Sequence, residues 1–288
     1  MAPRPPPPAL SDAALAPGLY LVATPIGNLR DITLRALDVL AAADMLLAED
    51  TRVTGKLLAA YGLSKRMERY DEHAAARARP AIMAALAEGK RVALVSDAGT
   101  PLVSDPGYRL AVEAAKAGVS VFPIPGASAA LAALSVAGLP TDRFLFAGFP
   151  PPKSAARRSF LEGLKGVQAT LILFEGVSRL GASLADMAAV LGPRPAAVAR
   201  ELTKLHETTR RGDLASLAAD PALAAPKGEV VIVIGPPLEA AAEPADADAA
   251  LAEALARLSP AEAAREVAAA SGLPRRDLYR RALALKGR

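Results

Sequence analysis

Four short segments of this chain combine glycine, proline, carboxylate and hydroxyl residues, and each directly follows an apolar run of strand length. They are residues 24–31, 49–52, 96–107 and 123–128. In an open parallel sheet, the loops at the carboxyl ends of the strands line a common crevice, where ligands bind. The spacing therefore predicts one ligand site that is built from four loops.

The side chains of these loops indicate a small ligand that carries positive charge and hydroxyls. Residues 96–107 offer the carboxylates Asp97 and Asp105, several hydroxyls, and glycines that permit close backbone approach. Such a set suits a zwitterionic, cationic molecule such as S-adenosylmethionine, whereas paired carboxylates also bind Mg²⁺. The residues alone leave both ligands open, together with a structural role in helix caps and turns. A pyrophosphate cofactor is disfavoured because neither GxGxxG nor a P-loop pattern occurs.

The elements that must position these loops alternate between strand and helix patterns. In the first half, we predict strands at residues 19–23, 45–48, 91–95 and 119–122. Helical spacing over residues 32–42, with Asp31 as its cap, predicts a helix between the first two strands. In the second half, we predict strands at residues 144–148, 169–174, 196–202, 207–211 and 229–234. In the first half, this alternation predicts parallel strands joined by crossover helices, and the second half repeats the α/β pattern with a stronger β signal. The predicted fold class is therefore α/β.

Changes of composition along the chain predict its domain organisation. We expect a disordered lead (residues 1–16), an N-terminal α/β domain (17–139), a C-terminal α/β domain (140–236), a linker (237–247) and a basic helical domain (248–288). Three helices fit the last domain, at residues 248–258, 260–270 and 275–284. Ser259, Pro260 and Glu262 predict a capping box at the start of the second of these helices.

The positive charge of the chain lies at its C-terminal end. Residues 271–288 carry six basic residues and one acidic residue, whereas the whole chain has a formal net charge of +4. The spacing of the apolar residues in this region is typical of a helix-turn-helix unit. We therefore predict contact with nucleic acid through Arg275, Arg276, Arg280 and Arg281.

Composition excludes several classes of protein. A hydrophobic fraction of 52% and a charged fraction of 22% exclude a disordered chain. The absence of cysteine excludes disulfides, thiol nucleophiles and thiolate metal sites. With only two histidines, we predict no metal site. The uncharged stretch at residues 117–140 is interrupted by proline and glycine, so we expect a cytoplasmic protein without a membrane span.

Residues 19–37 resemble the opening of the bacterial small-subunit ribosomal RNA ribose 2′-O-methyltransferase I family, a branch of the tetrapyrrole methylase superfamily. Further matches are residues 48–52, 96–107, 125–128, 138–140, 149–153, 199–204, 211–212 and 227–229 and the C-terminal helices. The resemblance covers about residues 18–286. It implies two α/β domains with S-adenosylmethionine in the cleft between them, a small C-terminal helix-turn-helix unit and a homodimer. It also implies methylation of a decoding-centre cytidine of small-subunit ribosomal RNA on its ribose 2′-oxygen.

The resemblance also implies which residues lie near the cofactor. They are Pro25, Ser96, Asp97, Ala98, Gly99, Thr100, Ser104, Asp105, Ser128, Ala129, Phe174, Leu202 and Gly228.

The residues that carry out catalysis are predicted from the reaction. A ribose hydroxyl is a poor nucleophile until it loses its proton, so a base or a cation near the developing alkoxide should assist. Glu175 is a candidate base because it follows a predicted strand, and Glu201 with Lys204 is a candidate pair. We interpret His206 as a surface residue, and Arg52 as a contact to a phosphate of the RNA.

One departure from the family pattern keeps other functions open. After Glu175 the family usually carries Ser-Pro-His, whereas this chain has Gly176-Val177-Ser178, so no histidine role is carried over. This change is the only support for a non-catalytic RNA-binding assembly factor. A sister enzyme that methylates a tetrapyrrole carbon is the other alternative.

Overall fold

The computed structural model describes residues 10, 14–104, 106–224, 226–238, 244–271 and 273–286. Asp105 and Gly272, most of the predicted lead and residues 239–243 of the predicted linker therefore lie outside the described residues. The chain divides into two compact units, Met1–Pro237 and Leu238–Arg288. In the part of the chain that is described, no helix is long and apolar enough to cross a membrane.

The first sheet is parallel throughout and carries the four loops at the carboxyl ends of its strands. Its strands are β1 (Gly18–Val22), β2 (Met45–Ala48), β3 (Met67–Arg69), β4 (Arg91–Val95) and β5 (Val121–Ile124), in the order β3-β2-β4-β1-β5. Along β1, Leu19 packs into one core and Tyr20 and Val22 into the opposite one, as the period of two requires. Burial on both faces explains why β1, β2 and β4 read as continuous apolar runs.

Helices cover both faces of this sheet. The helices α1 (Leu34–Ala42) and α2 (Thr51–Ala60) pack on the face of Tyr20, and α3 (Glu72–Ala87) and α4 (Tyr108–Lys116) pack on the face of Leu19. Because each helix directly follows one of the loops or strands at the carboxyl edge, this packing holds the loops in place.

Two predictions for the first half were wrong in detail. The helix α1 is capped by Thr33, whose Oγ1 accepts a hydrogen bond from the N–H of Ala36 at 3.1 Å, and not by Asp31. Asp31 instead ends a short 3-10 helix, Leu29–Asp31, which Asn28 caps. The strand β3 was not predicted, because its three residues, Met-Glu-Arg, contain a single apolar side chain.

The second sheet is mixed. Its strands are β6 (Phe144–Gly148), β7 (Thr170–Glu175), β8 (Pro195–Arg200), β9 (Thr208–Asp213) and β10 (Val230–Ile234), in the order β6-β7-β10-β8-β9. The strands β6 and β7 run parallel, and the other neighbouring pairs run antiparallel. The helices α6 (Ser154–Leu164), α7 (Leu180–Leu191), α8 (Leu214–Ala219) and α9 (Pro221–Ala224) pack on one face.

The opposite face of the second sheet is covered by α5 (Ala129–Ala137). Ala133 and Leu134 of this helix pack with Ile172 and Val233 of the sheet, although the helix precedes the predicted domain boundary at residue 139. The uncharged stretch noted in the sequence is thus β5, a turn and a helix that is partly buried on the second sheet. The helix α5 follows β5 of the first sheet and packs on the second sheet, so it connects the two sheets.

The C-terminal unit consists of α10 (Pro244–Leu255), α11 (Pro260–Ser271) and α12 (Arg275–Lys286). Leu251, Val267 and Leu278 contribute one side chain from each helix to its core. Half of the predicted capping box is present, because Glu262 Oε2 accepts a hydrogen bond from the N–H of Ser259 at 3.1 Å. The Ser259 hydroxyl donates to the same oxygen at 2.6 Å, and the N–H of Glu262 donates to the carbonyl of Ser259 at 3.1 Å, so the reciprocal bond of a capping box is replaced.

Candidate functional site

A cavity of about 460 Å³ lies between the carboxyl edge of the first sheet and the second sheet. The loops after β1, β2 and β4 line it on one side, and residues of β7, β8 and β10 line it on the other. Two sheets therefore meet at one cleft, at the edge where α/β folds bind their ligands.

Most of the predicted cofactor contacts line this cavity. They are Asp97, Ala98, Gly99, Thr100, Ser104, Ser128, Ala129, Phe174, Leu202 and Gly228. Pro25 and Ser96 line an adjoining cavity of about 320 Å³, and Asp105 lies outside the described residues.

The loop after β4 is held in place by backbone hydrogen bonds as well as by side-chain hydrogen bonds. Gly99 and Thr24 exchange two hydrogen bonds, at 2.9 and 3.0 Å, so this loop is paired with the loop after β1. The Ser96 hydroxyl is buried and donates to the carbonyl of Gly99 at 3.2 Å, which assigns it to bracing the loop. Leu102 and Ser104 have φ values of +72° and +66°, conformations that cost energy in residues with a side chain.

Asp97 connects the loop after β4 with the loop after β2. Its Oδ1 accepts a hydrogen bond from the N–H of Asp50 at 2.8 Å. Because residue 97 also lines the main cavity, one carboxylate fixes the relative position of two loops and presents negative charge to a ligand.

The charged side chains that line the cavity are all acidic among the residues described. Glu49, Asp97, Glu175 and Glu229 line it, and no basic residue does so among the residues that the structure describes. Such a lining attracts a cation and disfavours a phosphate-bearing ligand. Across the described ranges, no group of three or more histidine, aspartate or glutamate side chains is arranged to hold a metal ion.

Aromatic rings form an apolar wall of the cavity. The ring of Phe174 contacts Phe146 and Phe149 edge to face, with centroids 4.8 and 5.5 Å apart. Phe149 and Phe174 both line the cavity. The sequence pointed to Phe174 but not to Phe149, although Phe149 opens the matched segment at residues 149–153.

Glu175 is buried, and each of its carboxylate oxygens has a partner. Oε1 accepts hydrogen bonds from the N–H of Gly176 at 2.7 Å and from Nε of Arg179 at 2.8 Å. Oε2 accepts a hydrogen bond from the Ser183 hydroxyl. These contacts favour an anchoring role for Glu175, at the start of α7, over the predicted role as a base.

Glu201 and Lys204 form the predicted pair, and the structure adds Glu229 to it. Lys204 Nζ donates to Glu201 Oε1 at 2.9 Å and to Glu229 Oε2 at 2.7 Å. Burial lowers the pKa of Lys204, but the two carboxylates outweigh this effect and hold the pKa above its ordinary value. Lys204 therefore stays protonated and links the turn after β8 to the residue before β10.

We expect Gly228→Ala to disrupt this group of charges. A Cβ at residue 228 would lie 2.2 Å from Glu201 Oε1, in a backbone with φ of +97°. Glu201 must then leave its bonds to Lys204 and to the N–H of Glu229. We predict a loss of about 1–3 kcal/mol in the free energy of unfolding and roughly tenfold weaker cofactor binding.

Gly118→Ala is the matched control for this prediction. Gly118 also has a positive φ, +73°, but an added Cβ meets nothing within 4 Å. Denaturant unfolding and calorimetric titration with S-adenosylmethionine measure both effects. Equal losses in the two variants would show that backbone strain alone, and not the Glu201 contact, is responsible.

The predicted RNA contacts lie on exposed surfaces. Arg52 is 86% exposed and pairs with Asp50 at 2.6 Å, and its hydrogen bonds hold the pKa of the Asp50 carboxyl well below its ordinary value. In the C-terminal unit, α12 exposes Arg275, Arg276 and Arg280. Arg280 pairs with Asp277 at 2.5 Å, whereas Arg281 is half-buried and lies 3.5 Å from Asp248. His206 is exposed.

The profiles of two known families match the chain. The family described as Tetrapyrrole (Corrin/Porphyrin) Methylases matches residues 18–218. The family described as RsmI C-terminal HTH domain matches residues 241–286.

Known proteins are similar to this chain over most of its length. "Ribosomal RNA small subunit methyltransferase I" of Mesorhizobium japonicum is 55% identical over 274 residues, which cover 94% of this chain and 93% of that protein. The protein of the same name from Erythrobacter litoralis is 57% identical over 272 residues, with 94% and 96% covered. Among solved structures, uroporphyrin-III-C-methyltransferase from Thermus thermophilus is 26% identical, with a TM-score of 0.53, and the match covers 75% of this chain and 93% of that one.

Proposed function

Because this chain belongs to the ribosomal RNA small subunit methyltransferase I family within the tetrapyrrole methylases, we propose that it methylates small-subunit ribosomal RNA on the ribose 2′-oxygen of a decoding-centre cytidine. The chain is an S-adenosylmethionine-dependent methyltransferase. The bound cofactor supplies an activated methyl group, so the protein has to orient both reactants and accept a proton.

The acidic lining of the cleft is the observation that best supports binding of S-adenosylmethionine. S-adenosylmethionine carries a sulfonium, an ammonium and a carboxylate group and is a cation overall. Asp97 presents a carboxylate to the cleft, and no basic residue lines the cleft among those described. Glu175 and Glu229 are paired with Arg179 and Lys204. The adenine of the cofactor is planar and apolar on both faces, which suits the ring of Phe174 and the neighbouring apolar residues.

The roles of the lining residues follow from their contacts. We assign cofactor binding to Asp97 and the backbone of residues 98–100, and bracing of the loop to Ser96. Lys204 serves to hold Glu201 and Glu229 in place, and Glu175 serves to anchor Arg179 and the start of α7.

The two alternatives have weaker support. A tetrapyrrole methylase has no use for the basic C-terminal unit, and the relatives that are 55% and 57% identical are named for ribosomal RNA. A non-catalytic assembly factor has no use for an acidic cleft with a braced cofactor loop. The departure at residues 176–178 lies beside Arg179, where a Cβ added at Gly176 would lie 3.7 Å from the guanidinium, an ordinary van der Waals distance, so the backbone here also accommodates the serine of the family pattern.

A labelled-methyl transfer assay tests the proposed function. The protein is mixed with labelled S-adenosylmethionine and small ribosomal subunits that lack the modification, and the RNA is digested to nucleosides. We expect the label in 2′-O-methylcytidine. A parallel reaction contains a uroporphyrin-type substrate in place of the subunits.

Two results would contradict the proposal. Label in the tetrapyrrole and not in the RNA would assign the chain to the sister activity. Absence of transfer to either substrate, with calorimetric cofactor binding intact, would favour the assembly factor.

The homodimer stays a prediction of the resemblance, and the cytoplasmic location stays a prediction from the composition and the interrupted uncharged stretch. Sedimentation equilibrium at several protein concentrations would measure the first, and we expect twice the chain mass of 29.5 kDa. A mass that stays at one chain would contradict it.

A further inference from the structure

A further cavity, of about 540 Å³, adjoins the cofactor cleft on the side of the first sheet. It is distinct from the adjoining cavity of about 320 Å³ that Pro25 and Ser96 line, and it is called the second cavity below. Residues of α3, of the loop after β4 and of the start of α4 line it. Glu49 and Ser104 line both this cavity and the cofactor cleft. The two spaces therefore meet at these two residues, and a ligand in one can reach a ligand in the other.

The lining of the second cavity combines charges of both signs with an exposed aromatic ring. Arg109 contributes an exposed guanidinium group, and Arg79 contributes a second one whose Nε pairs with Glu113 at 3.0 Å. Glu72 and Glu49 contribute carboxylates. Tyr108 is 69% exposed, which is unusual for so large an apolar ring. A nucleotide matches this set, because its phosphate pairs with guanidinium groups, its base stacks on an aromatic ring and its hydroxyls donate to carboxylates.

Glu49 lies where the cofactor cleft and the second cavity meet. It lines the cofactor cleft, the second cavity and a third cavity of about 580 Å³ that also contains Arg52 and Arg69. It is half-buried and follows β2 directly. The N–H of the next residue, Asp50, is held by Asp97 at 2.8 Å, so the backbone beside Glu49 is tied to the loop that contacts the cofactor.

The other carboxylates of the cleft are less well placed for proton transfer. Asp97, Glu175 and Glu229 line the cofactor cleft, but none of them lines the second cavity. Only position, and not the presence or absence of partners, distinguishes Glu49 in this comparison.

We propose that the second cavity holds the acceptor nucleotide and that Glu49 takes the proton from its ribose 2′-hydroxyl. This inference rests on the proposed function. The O–H bond breaks and its electron pair stays on oxygen, which forms the bond to the methyl carbon as the carbon–sulfur bond breaks. The proton moves to an oxygen of Glu49 and then to solvent, so the products are the 2′-O-methyl ribose and S-adenosylhomocysteine.

Glu49→Gln tests the proton transfer, because glutamine keeps the shape of the side chain and removes the basic carboxylate. We expect the single-turnover rate of methyl transfer to fall by roughly 100-fold or more. The dissociation constant for S-adenosylmethionine, by calorimetry, should rise by about tenfold or less, because one of the four described carboxylates of the cleft loses its charge. The dissociation constant for small ribosomal subunits, by filter binding, should stay within about twofold of the original protein. Glu49→Asp should recover part of the rate.

Two outcomes would overturn this part of the proposal. One is an unchanged rate in Glu49→Gln. The other is a loss of cofactor affinity as large as the loss of rate, which would make Glu49 a cofactor contact. If the glutamine variant does not fold, Glu49→Ala, which also removes the carboxylate, is measured in its place under the same two criteria.

Tyr108→Ala and Arg109→Ala test the acceptor pocket. Loss of a stacking ring or of a phosphate contact should weaken binding of small ribosomal subunits by roughly tenfold each. Cofactor affinity should stay within about twofold. Tyr108→Phe keeps the ring and should bind like the original protein.

Lys116→Ala is the matched control for charge, because Lys116 is exposed on the same helix, α4, and lies outside the second cavity. If Arg109→Ala weakens RNA binding no more than Lys116→Ala, and Tyr108→Ala has no effect, the pocket is elsewhere. These comparisons require an original protein that methylates small ribosomal subunits. If the original protein does not methylate them, that result contradicts the proposed function rather than the inference about the second cavity.

Discussion

Replacing Asp97 by alanine is expected to weaken S-adenosylmethionine binding by roughly 100-fold or more while the protein stays folded. The carboxylate lines the cleft, where it offers negative charge to a cationic ligand, and its Oδ1 holds the N–H of Asp50 at 2.8 Å. Both interactions are lost together in the alanine variant. Calorimetric titration with the cofactor measures the effect directly.

Asp97→Asn separates the two roles of this side chain. An amide oxygen can still accept the hydrogen bond from Asp50, but it carries no charge. We expect the asparagine variant to keep the thermal stability of the original protein and to lose most of the cofactor affinity. Asp142→Ala, at an exposed position outside the cleft, is the control. Normal cofactor binding by Asp97→Ala would show that the assignment of this residue is wrong.

The largest effect on stability is expected for Asp186→Ala, with a loss of about 3–5 kcal/mol in the free energy of unfolding. Asp186 lies in α7 and pairs with Arg157 and Arg158 of α6, each at 2.6 Å. The side chain of Arg157 is only 4% exposed, so removing the carboxylate leaves a buried guanidinium without a counter-charge. Urea unfolding followed by circular dichroism measures the loss, because the chain contains no tryptophan.

Arg158→Ala is the matched control for this pair. The Arg158 side chain is 55% exposed, so its removal should cost about 1 kcal/mol or less. An equally small loss in Asp186→Ala would contradict the argument from burial.

The same carboxylate predicts how stability depends on pH. Burial raises the pKa of Asp186, but hydrogen bonds from Arg158, Ser154 and Arg157 outweigh it and hold the pKa below its ordinary value. A lowered pKa in the folded state means that the stabilisation is present above the unfolded value of about 3.9 and is lost as the pH falls through the folded value. We therefore expect stability to fall below about pH 4, and to fall less steeply in Asp186→Ala.

Features that depend on neighbouring residues could be predicted from the chain alone. The strands β2, β4 and β6 lie where apolar runs predicted them, and the bond from the N–H of Ser259 to Glu262 that the capping box requires is present. Most of the predicted cofactor contacts share one cavity, because glycine-rich and carboxylate-rich loops after parallel strands must meet at one edge of the sheet. The family resemblance added the identity of the ligand to this geometry.

Features that depend on pairs of distant residues were decided by the tertiary structure. Three such features join residues that lie far apart in the chain. They are the placement of α5 on the second sheet, the hydrogen bond between Asp97 and Asp50, and the pairing of Lys204 with Glu229. No local pattern distinguishes Glu49 from Glu175, since Glu49 directly follows β2 and Glu175 is the last residue of β7. Only the packing of the two sheets decides that Glu49 lines both the cofactor cleft and the second cavity, whereas Glu175 lines the cleft but not the second cavity. The physical reason is that electrostatic and hydrogen-bond energies depend on distances that the order of residues does not contain.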